Sequence, residues 1–113
     1  MTGTICINDD LEFDLSQGEL ARVAQALRQH TAAADARVMR ELFWPMEEGG
    51  LDFLLADALD AAEFAVFATV VQRSHEHARR IDTASLPLWE KLLAAVHADR
   101  RYAANMPAFS AAA

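Results

Sequence analysis

The hydrophobic pattern begins with a period of two and then changes to a helical one. Thr4-Ile5-Cys6-Ile7 is apolar and β-branched, Asn8-Asp9-Asp10 is a turn cluster, and Leu11-Glu12-Phe13-Asp14-Leu15 alternates strictly between apolar and acidic residues. Two such runs around a short Asn/Asp turn predict a β-hairpin over residues 1–15 with one wet face. A lone hairpin is marginal in water. Ile5, Ile7, Leu11, Phe13 and Leu15 therefore need helices to cover them.

Ser16-Gln17-Gly18-Glu19 has the form of a capping box, in which the serine oxygen takes the third helical amide and the glutamate reaches back to the cap amide. Leu20, Val23, Ala24 and Leu27 then recur at i, i+3, i+4 and i+7, which predicts a helix at about 17–30. Thr31 is placed to cap a second helix carried by Val38, Met39, Leu42 and Phe43. That helix should stop near Trp44, because proline disfavours the α conformation in the residue before it. Pro45 to Gly50 reads as a loop and Leu51 to Leu55 as a helical turn or two. Asp60-Ala61-Ala62-Glu63 repeats the capping pattern and opens a helix at about 61–79, striped by Phe64, Phe67, Ala68 and Val71. Ser85 is expected to cap the last helix, with Pro87 tolerated in its first turn and Leu86, Trp89, Leu92, Leu93 and Val96 on its buried face. Phe64, Phe67, Val71, Trp89, Leu92 and Leu93 should be buried together. The tail from Asn105 to Ala113 has no periodicity. The fold class this predicts is mainly α: one small domain over residues 1–113, with three to four principal helices over 16–104, an N-terminal β-hairpin and a flexible tail.

Charge narrows the partners. The 113 residues carry a net charge of −7, which argues against a nucleic-acid partner, since phosphate backbones are bound by clustered Lys and Arg. The most apolar long window, residues 53–71, contains Asp57, Asp60 and Glu63, too many carboxylates for a membrane span. No basic segment followed by an apolar one opens the chain, so a secretory signal is not expected and a cytoplasmic location is. The single cysteine excludes an intramolecular disulfide framework. Residues 1–60 hold 12 acids and 4 arginines, a balance of −8, while residues 61–113 stand at +1.

No nucleotide-binding glycine loop, HExxH or GxSxG motif is present. Cys6 lies within a strand, where a thiol is usually a small buried hydrophobe. His75 and His77 are two apart, so on a helix they point to nearly opposite sides and cannot share one ion. No catalytic residue, metal ligand or cofactor is expected. The acids fall at chain junctions, and the bland account is a solvated surface. The sharper one is an electronegative surface for a basic protein. Its candidate residues are Asp9, Asp10, Glu12 and Asp14 of the hairpin and Glu47, Glu48 and Asp52 of the loop. Trp44 and Met46 beside them are residue types that anchor interfaces. Phe43 and Trp44 are adjacent, so both cannot face the core.

Two stretches carry a family likeness. Asp60-Ala61-Ala62-Glu63-Phe64-Ala65-Val66-Phe67 is similar to the helix opening of some immunity proteins of contact-dependent growth inhibition and related polymorphic-toxin systems. Leu88-Trp89-Glu90-Lys91-Leu92-Leu93, ending in Ala98-Asp99-Arg100-Arg101-Tyr102, resembles their closing helix and its Asp/Arg/aromatic terminus, although Arg100 stands where a proline would be expected. The resemblance covers residues 60–102. It implies a non-enzymatic, cytoplasmic binding protein whose partner is a cognate toxin domain, a nuclease or another toxin. Together with the acidic first half, the expectation is that the protein occludes the basic active-site surface of a nuclease. It carries no contact residue over by position. The alternatives are a homo-oligomeric scaffold or adaptor, and a small metal-binding or enzymatic domain built from Asp52, Asp57 and Asp60 with His75 and His77. The sequence leaves the oligomeric state open.

Overall fold

A computed structural model describes residues 2–8, 11–49 and 53–105, which fall into two compact units, Met1–Leu59 and Asp60–Ala113. The turn residues Asp9 and Asp10, Asp52 of the loop, and the tail beyond Asn105 lie outside the described residues.

In the first unit, strands β1 (Thr2–Asn8) and β2 (Leu11–Ser16) form the antiparallel hairpin that the alternation predicts. Helices α1 (Gln17–Gln29) and α2 (Ala36–Glu47) follow, and the chain then returns as β3 (Phe53–Leu55). The sheet order is β2-β1-β3, with β1 in the centre and parallel to β3. The central place of β1 explains why Ile5 and Ile7 are fully buried. Ile5 stands opposite Phe13 on one side and Leu54 on the other. One extra residue on β1 shifts the register between Cys6 and Asn8. Gly3 is buried because Leu20 of α1 lies where its Cβ would be, so the glycine lets the helix approach the sheet closely. Leu20, Val23, Ala24 and Leu27 are buried as the stripe requires.

The three-residue β3 replaces the helical turn expected over 51–55. A short apolar run has no period of its own, and here pairing with the open edge of β1 decides its conformation. The Ala56 amide extends that pairing to the Cys6 carbonyl at 2.8 Å.

The helix expected to end at Trp44 instead continues through Pro45 to Glu47. Proline removes one bond there, the one to the Glu41 carbonyl, and Glu41 lies on the exposed side where water can serve that oxygen. Pro45 itself is buried. The helix closes on the Trp44 carbonyl, which accepts the amides of Glu48 at 2.9 Å and Gly49 at 3.3 Å. A Cβ on Gly49 would come within 2.9 Å of the Pro45 carbonyl oxygen, so this closure needs glycine. Thr31 does not cap α2. Its hydroxyl donates back to the Leu27 carbonyl at 2.6 Å, and a 3-10 turn over Ala33–Asp35 leads into α2 with no side-chain cap.

The second unit is helical: α3 (Ala61–Ile81), α4 (Leu86–Ala98) and α5 (Arg100–Asn105), with α3 packed on both of the others. Phe64, Phe67, Val71, Trp89 and Leu92 are buried as expected, while Leu93 is half-buried. Asp60 caps α3, accepting the Glu63 amide at 2.8 Å and donating its own amide to Glu63 at 3.0 Å. Ser85 is not a cap. It sits in a 3-10 turn, and its hydroxyl donates to Asp82 at 2.7 Å.

The turn between α4 and α5 is held by a buried carboxylate. Asp99 accepts from the Arg101 amide at 2.8 Å, its Nε at 2.9 Å and its Nη2 at 3.0 Å. The guanidinium also lies 4.0 Å from the centre of the Phe64 ring. The Asp/Arg/aromatic terminus is thus a clasp that fixes α5 on α3.

Candidate functional site

The candidate surface residues all belong to the first unit. Because side chains alternate along a strand, Glu12 and Asp14 share one face of β2 and stand about 7 Å apart. Both are exposed, while Phe13 and Leu15 turn the other way. The Thr4 hydroxyl donates to Asp14 at 3.2 Å across the hairpin. Both carboxylates face solvent on the same side of the strand.

Trp44 resolves the choice left by its neighbour: Phe43 is buried and Trp44 is 54% exposed. An exposed tryptophan on a helix that otherwise buries its apolar side loses apolar burial, which makes it the most informative residue of the surface. Arg40 and Glu48 flank it at i−4 and i+4, and all three are exposed. Met46 is half-buried and Glu48 lies just beyond the helix end. Glu47 occupies the last position of α2, where it belongs to the helix rather than to the loop first expected. The structure therefore gathers two groups, Glu12 with Asp14 on β2 and Trp44 with Glu48 at the end of α2, while Met46, two residues from Trp44, points to another side of the helix. Asp9, Asp10 and Asp52 lie outside the described residues.

Sequence reasoning missed a groove in this unit. It lies between the end of α1 and the start of α2, with Arg28 and Arg40 on it and Met39 and Phe43 beneath. Helical spacing alone could not reveal it, because Arg28 and Phe43 come from different helices.

Of the residues of the enzymatic alternative, Asp60 and His75 lie on one helix and do not converge. Asp60 caps α3, and His75 is 15 residues further along the same helix, about 22 Å away. Among the described residues no group of three His, Cys, Asp or Glu is placed to hold a metal ion. Cys6 is half-buried, with its sulfur 3.8 Å from the Asn8 carbonyl oxygen. Among the described residues no helix is long and apolar enough to cross a membrane.

Comparison with known proteins places this geometry in context. No protein-family model matches the chain. The immunity protein CdiI of Burkholderia pseudomallei is 24% identical over 92 residues, covering 81% of this chain and 83% of its own. The chain resembles CdiI immunity proteins. The fold agrees with that likeness. A chain from the solved complex of the CdiA-CT toxin from Burkholderia pseudomallei E479 with its cognate CdiI immunity protein superposes with a TM-score of 0.80. That match is 23% identical and covers 88% of this chain and 98% of the other. The CdiI likeness thus reaches well beyond residues 60–102, where the sequence alone carried it, and takes in much of the unit that bears Trp44.

Proposed function

We propose that the chain is an immunity protein that binds a cognate toxin domain in the cytoplasm and neutralises it without catalysis of its own. One observation carries this reading: the likeness to CdiI extends over four-fifths of both sequences. The shared fold supports it. The finer reading is occlusion. The acidic first half, with Glu12, Asp14, Glu47, Glu48 and Asp52, lies across a basic surface of the toxin, and Trp44 is the apolar anchor. Asp9, Asp10 and Met46 complete the candidate surface. A nuclease fits such an inhibitor, because an enzyme that binds phosphates presents Lys and Arg, and an acidic protein exploits the same field.

The test is co-production with the toxin domain that this reading expects to be encoded beside the gene. Growth should be restored by the wild-type chain, and the two proteins should co-purify in a stoichiometric complex. Unrelieved growth inhibition with no complex would refute the reading. Light scattering of the chain alone addresses the scaffold alternative, in which Trp44 is covered by a sister subunit: a stable homo-oligomer that binds no toxin would favour it.

A further inference from the structure

Among the described residues β2 pairs on one side only, with β1, so its outer side is an open sheet edge. The direction of its backbone groups follows from β3. Thr4, Ile5 and Cys6 stand opposite Phe53, Leu54 and Leu55 in parallel register, and the Cys6 carbonyl accepts the Ala56 amide. Backbone groups alternate in direction along a strand, so those of Thr4 and Cys6 turn to β3 and those of Gly3 and Ile5 turn to β2. Their antiparallel partners, Leu15 and Phe13, therefore close the ladder with β1. The N–H and C=O groups of Glu12 and Asp14 point the other way, out of the edge. Ser16 obeys the same alternation, because its amide donates to Glu19 at 3.0 Å in the capping box rather than to β1. That box bounds the open stretch at Ser16.

Glu12 and Asp14 thus offer an incoming strand both outward backbone groups and exposed carboxylates, while Leu11 and Phe13 are half-buried on the opposite face. Asp14 Oδ1 accepts the Thr4 hydroxyl at 3.2 Å, and a carboxylate has room for further donors. We infer that β2 receives an extended segment of the toxin as an added strand, with Lys or Arg at alternate positions opposite Glu12 and Asp14 and an apolar residue between them beside Phe13. Residues directly opposite in a ladder share a face, which sets this spacing. The inference rests on the toxin-binding reading and gives its basic partner a conformation and a sequence pattern. Other occupants fit the edge less well. A second copy of β2 would set carboxylates against carboxylates, and like charges directly opposite are destabilising. The chain's own tail beyond Asn105 has no Lys or Arg.

Charged side chains on an edge also discourage aggregation, so the exposed carboxylates alone decide nothing. The backbone amides decide. Amide hydrogen exchange of the chain, free and with the toxin domain bound, reads the edge residue by residue. The Phe13 and Leu15 amides, held in the ladder, should exchange slowly in both states. Those of Glu12 and Asp14 should exchange fast in the free chain and at least about tenfold more slowly in the complex. Asp14→Pro supplies a second reading, since an edge strand accepts proline where its nitrogen faces away from the ladder. It removes an outward N–H and no bond to β1, whereas Asp14→Asn removes the charge and keeps the amide. Asp14→Pro should therefore bind about tenfold more weakly than Asp14→Asn, mainly through faster dissociation. Circular dichroism checks that both variants fold, and exchange of the wild-type chain decides alone if the proline variant does not. Glu12 and Asp14 amides that stay fast in the complex would overturn the inference and leave the immunity reading intact, as would equal binding by the two folded variants. Failure of the wild-type chain to bind the toxin would overturn both. Amides that become protected in the free chain as its concentration rises would assign the edge to a second copy and refute the toxin strand.

Discussion

At the scale of single residues, exposure and burial distinguish Trp44, proposed to bind, from Asp99, which holds the fold. Trp44 leaves more than half of its surface in water beside the buried Phe43, an arrangement that folding alone does not reward. The adjacency of the two aromatics made the choice legible in the sequence, and packing of the Phe43 side of α2 settled it. Trp44→Ala should leave the thermal midpoint almost unchanged and raise the dissociation rate from the toxin about 30-fold or more, the scale of a loss of 2 kcal/mol at an interface hot spot. Surface kinetics with an unchanged off-rate would remove Trp44 from the interface. Asp99 is the opposite case. Its place in an Asp/Arg/aromatic terminus drew attention as a family likeness, but the structure assigns it to the clasp with Arg101 and Phe64. Asp99→Ala would leave the largely buried Arg101 without its counterion and should cost about 2–4 kcal/mol. Chemical denaturation reads that cost directly, and a loss below 0.5 kcal/mol would mean that the clasp is ornamental.

At the scale of elements, the two capping boxes were fully written in the sequence, because each is a four-residue pattern that needs nothing from the rest of the chain. Ser16 and Asp60 both make the reciprocal pair of bonds that the pattern describes. Ser16→Ala and Asp60→Ala should each lower stability by about 1 kcal/mol, measured as a fall in the unfolding midpoint, whereas Ser85→Ala, at a serine that caps nothing, should do less. Equal effects at all three positions would contradict the cap assignment. The elements that sequence could not fix are those that depend on distant partners. Three apolar residues at 53–55 become a strand only because β1 offers an unpaired edge. Pro45 remains helical because its burial and the closure by Gly49 outweigh one lost hydrogen bond. Thr31 and Ser85 each donate to a nearby oxygen instead of accepting from the first amides of the helix that follows, which is the usual competition for short hydroxyl side chains. The α1–α2 groove belongs to this scale too, since it exists only once two helices are packed.

At the scale of the whole molecule, the property most legible in the sequence is the charge asymmetry, −8 over residues 1–60 against +1 over the rest. Composition alone cannot say whether that asymmetry serves solubility or binding, because both use solvated carboxylates. The exposure of Glu12, Asp14 and Glu48 is compatible with either role. Kinetics can separate them, since a field that only keeps a protein soluble does not alter its encounter with one partner. If the acidic half steers the chain onto a basic toxin surface, association should be fast at low salt and slow as the Debye length falls from about 30 Å at 0.01 M to about 8 Å at 0.15 M. Dissociation, governed by short-range contacts such as Trp44, should depend on salt much less. Replacing Glu47 and Glu48 by Gln and Asp52 by Asn together should lower the low-salt on-rate several-fold and flatten its salt dependence. The circular dichroism spectrum and the off-rate should both remain near wild type. Association that ignores salt, with the triple variant indistinguishable from wild type, would show that the carboxylates serve solubility and would leave Trp44 as the candidate contact.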